Sequence, residues 1–166
     1  NTCVLDVEGN GTAELTNVQT YVYNGSEGQR FNIVKQSGIA LLGSPVNIGN
    51  DFYAKITASE GMNLSLDDDN VIIYGDSNAA AQVWKFSLQA DGSYKIVNMK
   101  SGTKVLDGTT NSKKQVKVAD GKDLKSQRWF IFEKNNTYIL KRADSQYSVL
   151  DLSGNKTADN TNVIYS

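Results

Sequence analysis

Both tryptophans of this chain stand two residues after a glutamine, at Gln82-Val83-Trp84 and Gln127-Arg128-Trp129. A third copy of the pattern, Gln29-Arg30-Phe31, differs in its aromatic residue. Each copy runs into an apolar segment that predicts a strand, over residues 31–34, 84–88 and 129–132. A pattern that recurs in this way is an internal repeat, and it restricts the fold more than any single motif does.

Three further elements recur around this motif. A Leu-Asp element lies upstream of each of the three motif glutamines and occurs once more near the end of the chain. Its four forms are Val4-Leu5-Asp6-Val7, Asn63-Leu64-Ser65-Leu66, Val105-Leu106-Asp107-Gly108 and Val149-Leu150-Asp151-Leu152. An opening Tyr-x-Ile element has three, Tyr53-Ala54-Lys55-Ile56, Tyr94-Lys95-Ile96-Val97 and Tyr138-Ile139-Leu140-Lys141. A short apolar run follows Leu-Asp, over 18–23, 71–74, 116–118 and 163–165. The repeat therefore predicts four short strands in about 42–45 residues, and the one helical candidate, Ala79-Ala80-Ala81, predicts a short 3₁₀ piece.

This pattern resembles the ricin-type β-trefoil, the family of lectin B chains and family 13 carbohydrate-binding modules. The resemblance covers nearly the whole chain and implies an all-β fold of short strands with pseudo-threefold symmetry. The copies divide into a partial repeat at 1–50 without its opening strand, complete repeats at 51–93 and 94–136, and a partial repeat at 137–166 without its Gln-x-Trp strand.

The two incomplete copies leave more than one architecture open. We favour a single closed, permuted trefoil in which 138–141 supplies the strand that is missing at the N-terminus, so that part of the tail from 143 to 166 is surplus. The alternative is a slice of a tandem array with a domain junction at 37–50, a stretch that contains the only proline, Pro45. Exchange of strands between chains would also satisfy the open edges.

The repeated residues have a structural interpretation. The aromatic residue of Gln-x-Trp is expected to fill the core, and the glutamine amide, which both donates and accepts, to hold irregular backbone nearby. The Leu of Leu-Asp and the Ile of Tyr-x-Ile are expected to face inward. The single Cys3 cannot form an internal disulfide and is expected to be a small buried residue.

The resemblance implies shallow sugar pockets, up to one in each copy, formed by the Leu-Asp carboxylate, an amide and an aromatic residue of the middle strand, and polar residues near the motif glutamine. A carboxylate accepts two hydroxyl hydrogens, and a flat aromatic ring stacks on the apolar face of a sugar. The first copy matches this set with Asp6, Gln19, Tyr21 and Gln29. Gly28 stands where the family often has Asn, which removes one hydrogen bond to the sugar, and Asn24 in the turn is expected to compensate for this loss.

The other copies depart from the set. The second has Ser65 for the carboxylate and Ile72 for the amide, and keeps Tyr74. The third keeps Asp107 but has Lys117 and Ala119, so its Asp is expected to bond its own loop. The fourth has Asp151, with Ile164 and Ser166 at the amide and aromatic positions. We expect one sugar pocket, in the first copy.

Composition excludes several other functions. The chain has no His, which removes the commonest general base and most zinc sites, and its formal net charge is -1, which provides no basic surface for nucleic acid. No apolar run is long enough to cross a membrane. The run Asp67-Asp68-Asp69 is interpreted as a solvated turn and not as a metal site. We therefore expect no catalytic residue, metal or cofactor.

Together these observations predict a non-catalytic carbohydrate-binding module that binds galactose-type sugars or polysaccharides weakly. The shortage of cysteine, compared with the disulfides of plant ricin-type lectins, favours a bacterial, secreted or cell-surface protein with neighbouring domains in a longer chain, one of which could be an enzyme. The alternative is a structural or protein-interaction trefoil, such as a spacer or an inhibitor, with degenerate pockets.

Overall fold

Turn-forming residues divide the chain into short strands. The pairs Asn24-Gly25, Asp91-Gly92 and Ser101-Gly102 each predict a turn from the sequence. Their glycines have φ of 73°, 83° and 74°, a conformation that residues with a Cβ rarely adopt. The computed structural model describes residues 2–31, 43–59 and 61–166 and shows an all-β chain whose only helices, within these ranges, are three-residue 3₁₀ turns. The chain divides into two compact units, 1–39 and 40–166.

The first unit contains one antiparallel hairpin. Its strands are β1 (Cys3–Val7) and β2 (Val18–Val22), and 3₁₀ turns follow at Glu8–Asn10 and Glu27–Gln29. The expectation of a buried Cys3 is wrong, since this residue is exposed. The expectation that Leu5 faces inward is also wrong, since this residue is 58% exposed. A two-stranded hairpin covers little apolar surface by itself. The predicted strand after Phe31, at 32–34, lies outside the described residues.

The second unit contains the other twelve described strands. They are β3 (Asp51–Ala54), β4 (Thr57–Ser59), β5 (Met62–Asp67), β6 (Asn70–Gly75), β7 (Trp84–Leu88), β8 (Tyr94–Asn98), β9 (Val105–Asp107), β10 (Lys117–Ala119), β11 (Trp129–Lys134), β12 (Thr137–Arg142), β13 (Leu150–Leu152) and β14 (Thr161–Tyr165). Three 3₁₀ turns lie at Ala80–Gln82, Lys125–Gln127 and Ser153–Asn155. The first of these confirms the short 3₁₀ piece expected beside the alanine run.

Five strands form the wall of the second unit in the order β3, β7, β8, β11 and β12, each antiparallel to the next. The two strands that begin with the motif tryptophans, β7 and β11, each lie between two opening strands. The opening motif at Tyr53 is out of register by one residue, because Trp84 pairs with Ala54 whereas Trp129 pairs with Tyr94, and Tyr53 is 62% exposed. Strand alternation decides which residue faces inward.

Three hairpins close one end of this wall. They are β5–β6, β9–β10 and β13–β14, one from each of the second, third and fourth copies. Every pair of hairpins is in contact, through Lys117↔Asn70, Asn162↔Ile72 and the bridge Gln115↔Ile164. This arrangement is the observed form of the expected pseudo-threefold symmetry.

The core lies inside the wall and beneath the hairpins. Trp84 and Trp129 are fully buried there, and each indole N–H donates to the carbonyl of a motif leucine, Leu64 or Leu106, at 3.1 Å. Burial of each ring contributes several kcal/mol, because the stabilisation is proportional to the apolar area removed from water. The tryptophans therefore fill the core, as the sequence predicted.

The tail from 143 to 166 is part of this unit. Val163 and Tyr165 are buried members of the core cluster, with exposed fractions of 1% and 6%. The expectation that part of the tail is surplus is therefore wrong, because the fourth copy supplies the third hairpin. That all four copies together make one domain stays a prediction.

Candidate functional site

The registers of the four hairpins confirm which residues are equivalent. The second residue of each Leu-Asp element has a defined partner on the next strand, and the pairs are Asp6↔Gln19, Ser65↔Ile72, Asp107↔Lys117 and Asp151↔Ile164. Two residues further along, on the same face, stand Tyr21, Tyr74, Ala119 and Ser166. Only the first copy places a carboxylate opposite an amide with an aromatic ring beside it.

The first copy brings three of its five predicted residues onto one face of the hairpin. The Gln19 side-chain amide donates to Asp6 Oδ2 at 3.0 Å, and Tyr21, 52% exposed, stands next to Gln19 on that face. Asp6 is 6% exposed, and its Oδ1 has no hydrogen-bond partner among the described residues. The face therefore presents an open ring beside a carboxylate that keeps acceptor capacity.

Gln29 and Asn24 have a different position. The Gln29 carbonyl oxygen accepts from the backbone N–H groups of Asn24, at 2.9 Å, and Gly25, at 3.2 Å, and its amide nitrogen donates to the Val22 carbonyl. The Asn24 side chain accepts from Ser26 N–H at 2.9 Å. These two residues fix the loop that follows Tyr21, so their direct part in a sugar site stays a prediction.

The same bonding recurs at all three motif glutamines. Each side-chain oxygen accepts from the backbone N–H five residues earlier, in Asn24, Ser77 and Lys122, and each amide nitrogen donates to the carbonyl seven residues earlier, in Val22, Gly75 and Asp120. This confirms that the motif glutamine holds irregular backbone. The need to hold this backbone explains why the glutamine recurs in all three copies.

Asn10 is a residue that the motif analysis missed. Its side-chain oxygen accepts from the backbone N–H of Gly28 at 2.6 Å. A Cβ at Gly28 would stand 2.7 Å from that oxygen and 2.8 Å from the Val7 carbonyl, so glycine is required by this close approach. The signal was present in the sequence, since Leu-Asp-x-x-Gly-Asn occurs at 5–10 and again at 150–155. Asn10 and Asn155 both have positive φ, 56° and 53°.

The third copy uses its carboxylate internally. Asp107 Oδ1 accepts from the backbone N–H and the hydroxyl of Thr109, and Oδ2 accepts from the Gln127 amide at 2.9 Å. Burial acts to raise the pKa of Asp107, but hydrogen bonds from Thr109, Gln127 and Ser126 outweigh it and hold the pKa below the ordinary 3.8. The expectation that this Asp bonds its own loop is confirmed.

The second and fourth copies lack the set in the way the sequence predicted. Ser65 faces Ile72, and Asp151 faces Ile164 while its Oδ2 accepts from the Ser166 hydroxyl at 2.7 Å. The aspartate run is exposed: Asp67 ends β5, residues 68–69 form the turn to β6, and Asp69 is paired to Lys104, which confirms the solvated turn. Across the described ranges no three His, Cys, Asp or Glu side chains come together as a metal site, and no helix has the length and apolarity to span a bilayer.

Hairpins around a pseudo-threefold axis, closing a wall of short strands, define the second unit as a β-trefoil. Two matches to the family model described as ricin-type beta-trefoil lectin domain-like, over residues 43–120 and 80–166, cover most of the chain. The chain belongs to this family. No curated protein matches it at a significant level.

Several solved structures are similar to the chain. A mosquitocidal holotoxin matches with a TM-score of 0.66 and 24% identity over 98% of this chain, which spans 19% of the holotoxin's length. A designed 3-fold symmetric protein, ThreeFoil, matches with a TM-score of 0.62 and 28% identity, over 68% of this chain and 87% of its own. The Rhizoctonia solani agglutinin matches with a TM-score of 0.58 and 22% identity, over 74% of this chain and 89% of its own.

Proposed function

We propose that the chain is a non-catalytic carbohydrate-binding module with one sugar pocket, on the face of β1–β2 that carries Asp6, Gln19 and Tyr21. The observation that carries the proposal is the Asp6↔Gln19 pair with the exposed Tyr21 ring beside it, a combination that the other three copies lack. Membership of the lectin-like family supports it.

The chemistry of this face suits a sugar. Asp6 Oδ1 accepts a ligand hydroxyl, the Gln19 carbonyl oxygen accepts a second, and Tyr21 stacks on the apolar side of a pyranose ring. Galactose-type sugars and polysaccharides of several such units are the ligand classes we propose. The module acts at the cell surface or outside the cell, as part of a longer chain.

The size of the pocket limits its affinity. Stacking on Tyr21 covers about 80 Å², worth about 2 kcal/mol, and each hydrogen bond adds about 1 kcal/mol net. Association costs at least about 4 kcal/mol, so a single sugar unit binds with a Kd on the order of 0.1–10 mM. Useful avidity comes from a longer glycan or from several modules.

Replacement of Tyr21 tests the pocket against a matched control. Tyr21→Ala removes the stacking surface and is expected to weaken binding on an array of galactosides and plant polysaccharides by about 30-fold, the equivalent of 2 kcal/mol. Tyr74→Ala makes the same change at the equivalent position of the second copy, where the ring is 46% exposed but faces no carboxylate site, and is expected to leave binding unchanged.

Equal loss in both variants, or binding that survives Tyr21→Ala, would place the sugar elsewhere on the chain. An array that stays blank for the folded wild-type protein would remove the proposal. The absence of the set from three copies would then favour a structural or protein-interaction trefoil.

A further inference from the structure

The side chain of Asn10 lies against the turn that contains the first motif glutamine. Its Oδ1 accepts from the Gly28 N–H at 2.6 Å, and Gly28 itself is buried. A side chain at residue 28 would begin 2.7 Å from this oxygen and 2.8 Å from the carbonyl oxygen of Val7, the residue after Asp6. Asn10 therefore fills the space that a side chain at residue 28 would otherwise take.

The third copy shows what a side chain in that space reaches. Ser126 is the residue before the motif glutamine there, and its hydroxyl lies 3.1 Å from the hydroxyl of Thr109, which donates to Asp107 Oδ1 at 2.6 Å. A hydrogen bond from Ser126 also acts to lower the pKa of Asp107. Because the two hairpins pair in the same register, we expect the Asn10 amide group to lie in the corresponding place, beside the Asp6 carboxylate.

The face of β1–β2 that carries Asp6 and Gln19 is richer in acceptors than in donors. Asp6 offers Oδ1 and Gln19 offers its carbonyl oxygen, whereas the Gln19 amide nitrogen already donates to Asp6. A sugar hydroxyl that donates to a carboxylate still has lone pairs on its oxygen, which a donor can satisfy. Asn10 is exposed, and within the described residues its Nδ2 has no acceptor, so both of its hydrogens are available to a ligand.

The equivalent asparagines do not combine these features. Asparagine stands five residues after the motif leucine in three copies, as Asn10, Asn111 and Asn155. The Asn111 amide nitrogen donates to two backbone carbonyls of its own loop, at 3.1 Å and 2.8 Å. Asn155 is exposed, but the Leu-Asp carboxylate of its copy, Asp151, pairs with Ile164 and not with an amide. The features meet in the first copy, at Asn10.

We propose that Asn10 is a direct sugar contact, whose Nδ2 donates to the oxygen of a hydroxyl at or next to the one that Asp6 binds. This contact rests on the sugar pocket proposed above and adds the donor that the pocket lacks. It makes the affinity depend on a free hydroxyl that accepts from Asn10 while Asp6 accepts from the sugar.

A substitution that removes the donor and keeps the turn tests this contact. Asn10→Asp retains an oxygen for the Gly28 N–H and suits the φ of 56°, but it has no amide hydrogens. NMR titrations with methyl β-galactoside and with xylotetraose, one probe for each proposed ligand class, measure its Kd. We expect the Kd to rise at least about fivefold, the equivalent of one hydrogen bond. Slow hydrogen exchange at the Gly28 amide would show that the turn is kept.

Two further variants separate the lost donor from the added charge. Asn10→Gly removes the amide without adding a charge, at a positive φ that glycine adopts freely, and should weaken binding by a similar factor. Asn155→Asp makes the same charge change at the equivalent asparagine, which is also exposed and has a φ of 53°, and should leave the Kd unchanged.

The outcomes distinguish this contact from the pocket itself. Weakening by Asn10→Asp but not by Asn10→Gly would indicate a charge effect and overturn the contact, as would equal effects of Asn10→Asp and Asn155→Asp. Binding that falls in Tyr21→Ala but persists unchanged in both Asn10 variants would overturn the contact and leave the pocket in place. A wild-type protein that binds neither probe would remove the pocket and the contact together.

Discussion

Asp6 and Asp107 hold the same position of the Leu-Asp element but meet different surroundings. Gln19 donates to Asp6, and one oxygen of Asp6 keeps its acceptor capacity within the described residues. Asp107 accepts from Thr109 and Gln127 through both of its oxygens. A carboxylate of the first kind can bind a ligand, whereas one of the second kind stabilises its own loop.

The lowered pKa of Asp107 makes this stabilisation dependent on pH. Because the pKa in the folded state lies below the ordinary 3.8, ionised Asp107 stabilises the fold above that value, and the contribution is lost as the pH falls through the folded-state pKa. We expect Asp107→Asn to lower the free energy of unfolding by about 1–3 kcal/mol near pH 7. Urea unfolding should show that the difference from wild type shrinks as the pH falls below 3.8, through the folded-state pKa.

The exposed Asp68 provides the control for this prediction. Asp68→Asn makes the same chemical change at a turn residue with a φ of 51°, which asparagine also tolerates, and should leave the free energy of unfolding nearly unchanged. A difference between wild type and Asp107→Asn that stays constant from neutral to acid pH would contradict the role given to the ionised carboxylate.

Residue equivalence was predictable from the sequence, whereas individual contacts were not. Spacing alone identified Gln19, Ile72, Lys117 and Ile164 as counterparts, since strand pairing follows sequence separation within a short hairpin. The burial of Cys3 was predicted wrongly because it depends on what covers the hairpin, and a local pattern contains no such information.

At the level of elements, the motif glutamine joins each hairpin to the strand that follows it. Gln82 connects the end of β6 to the beginning of β7 by accepting from Ser77 N–H and donating to the Tyr74 and Gly75 carbonyls. It is 1% exposed, so water cannot replace these bonds. The 3₁₀ turn at Ala80–Gln82 and the entry of Trp84 into the core depend on this connection.

Removal of the Gln82 amide should therefore weaken the second unit. Gln82→Ala leaves three part-buried backbone groups, of Tyr74, Gly75 and Ser77, without their partner, and we expect the free energy of unfolding to fall by about 2–4 kcal/mol. Gln89→Ala is the matched control, because its amide makes a single bond to the Ser87 carbonyl at a half-buried site. Urea unfolding followed by tryptophan fluorescence measures both, and equal stability of the two variants would show that the motif glutamine has another role.

The four-strand repeat was predictable because each element has its own local signal. Alternating apolar residues predicted the strands, and glycine after Asn, Asp or Ser predicted the turns. The opening motif at β3 was placed one residue early, because the tyrosine was matched to Tyr53 whereas Ala54 holds the position of Tyr94. Only the pairing of Trp84 with Ala54 and of Trp129 with Tyr94 decides the register.

At the scale of the whole molecule, the second unit uses three hairpins and five wall strands from three consecutive copies. The copy count alone could not assign the terminal copies, because either partial copy could supply a third lobe. Burial of Val163 and Tyr165 decides this in favour of the fourth copy. The first copy, in the separate unit at 1–39, carries the full sugar set.

The four copies therefore differ in role, since three form the core and one carries the residues proposed to bind sugar. The second, third and fourth copies build one core, to which the second and third contribute Trp84 and Trp129, and their pocket positions are occupied by Ile72, Lys117 and Ile164. The first copy lacks a buried tryptophan, since Phe31 is 49% exposed, yet it keeps the carboxylate, the amide and the ring. We therefore expect one ligand per chain, bound at the first hairpin.

An NMR titration of the isotopically labelled chain with the oligosaccharide that binds best on the array measures both the number of sugar sites and their position. We expect a single saturable site, with shifts in the amide signals of residues 4–7 and 18–29 and unchanged signals at the equivalent hairpins 63–76 and 105–127. Shifts at either of those hairpins, or a stoichiometry above one sugar site per chain, would contradict it.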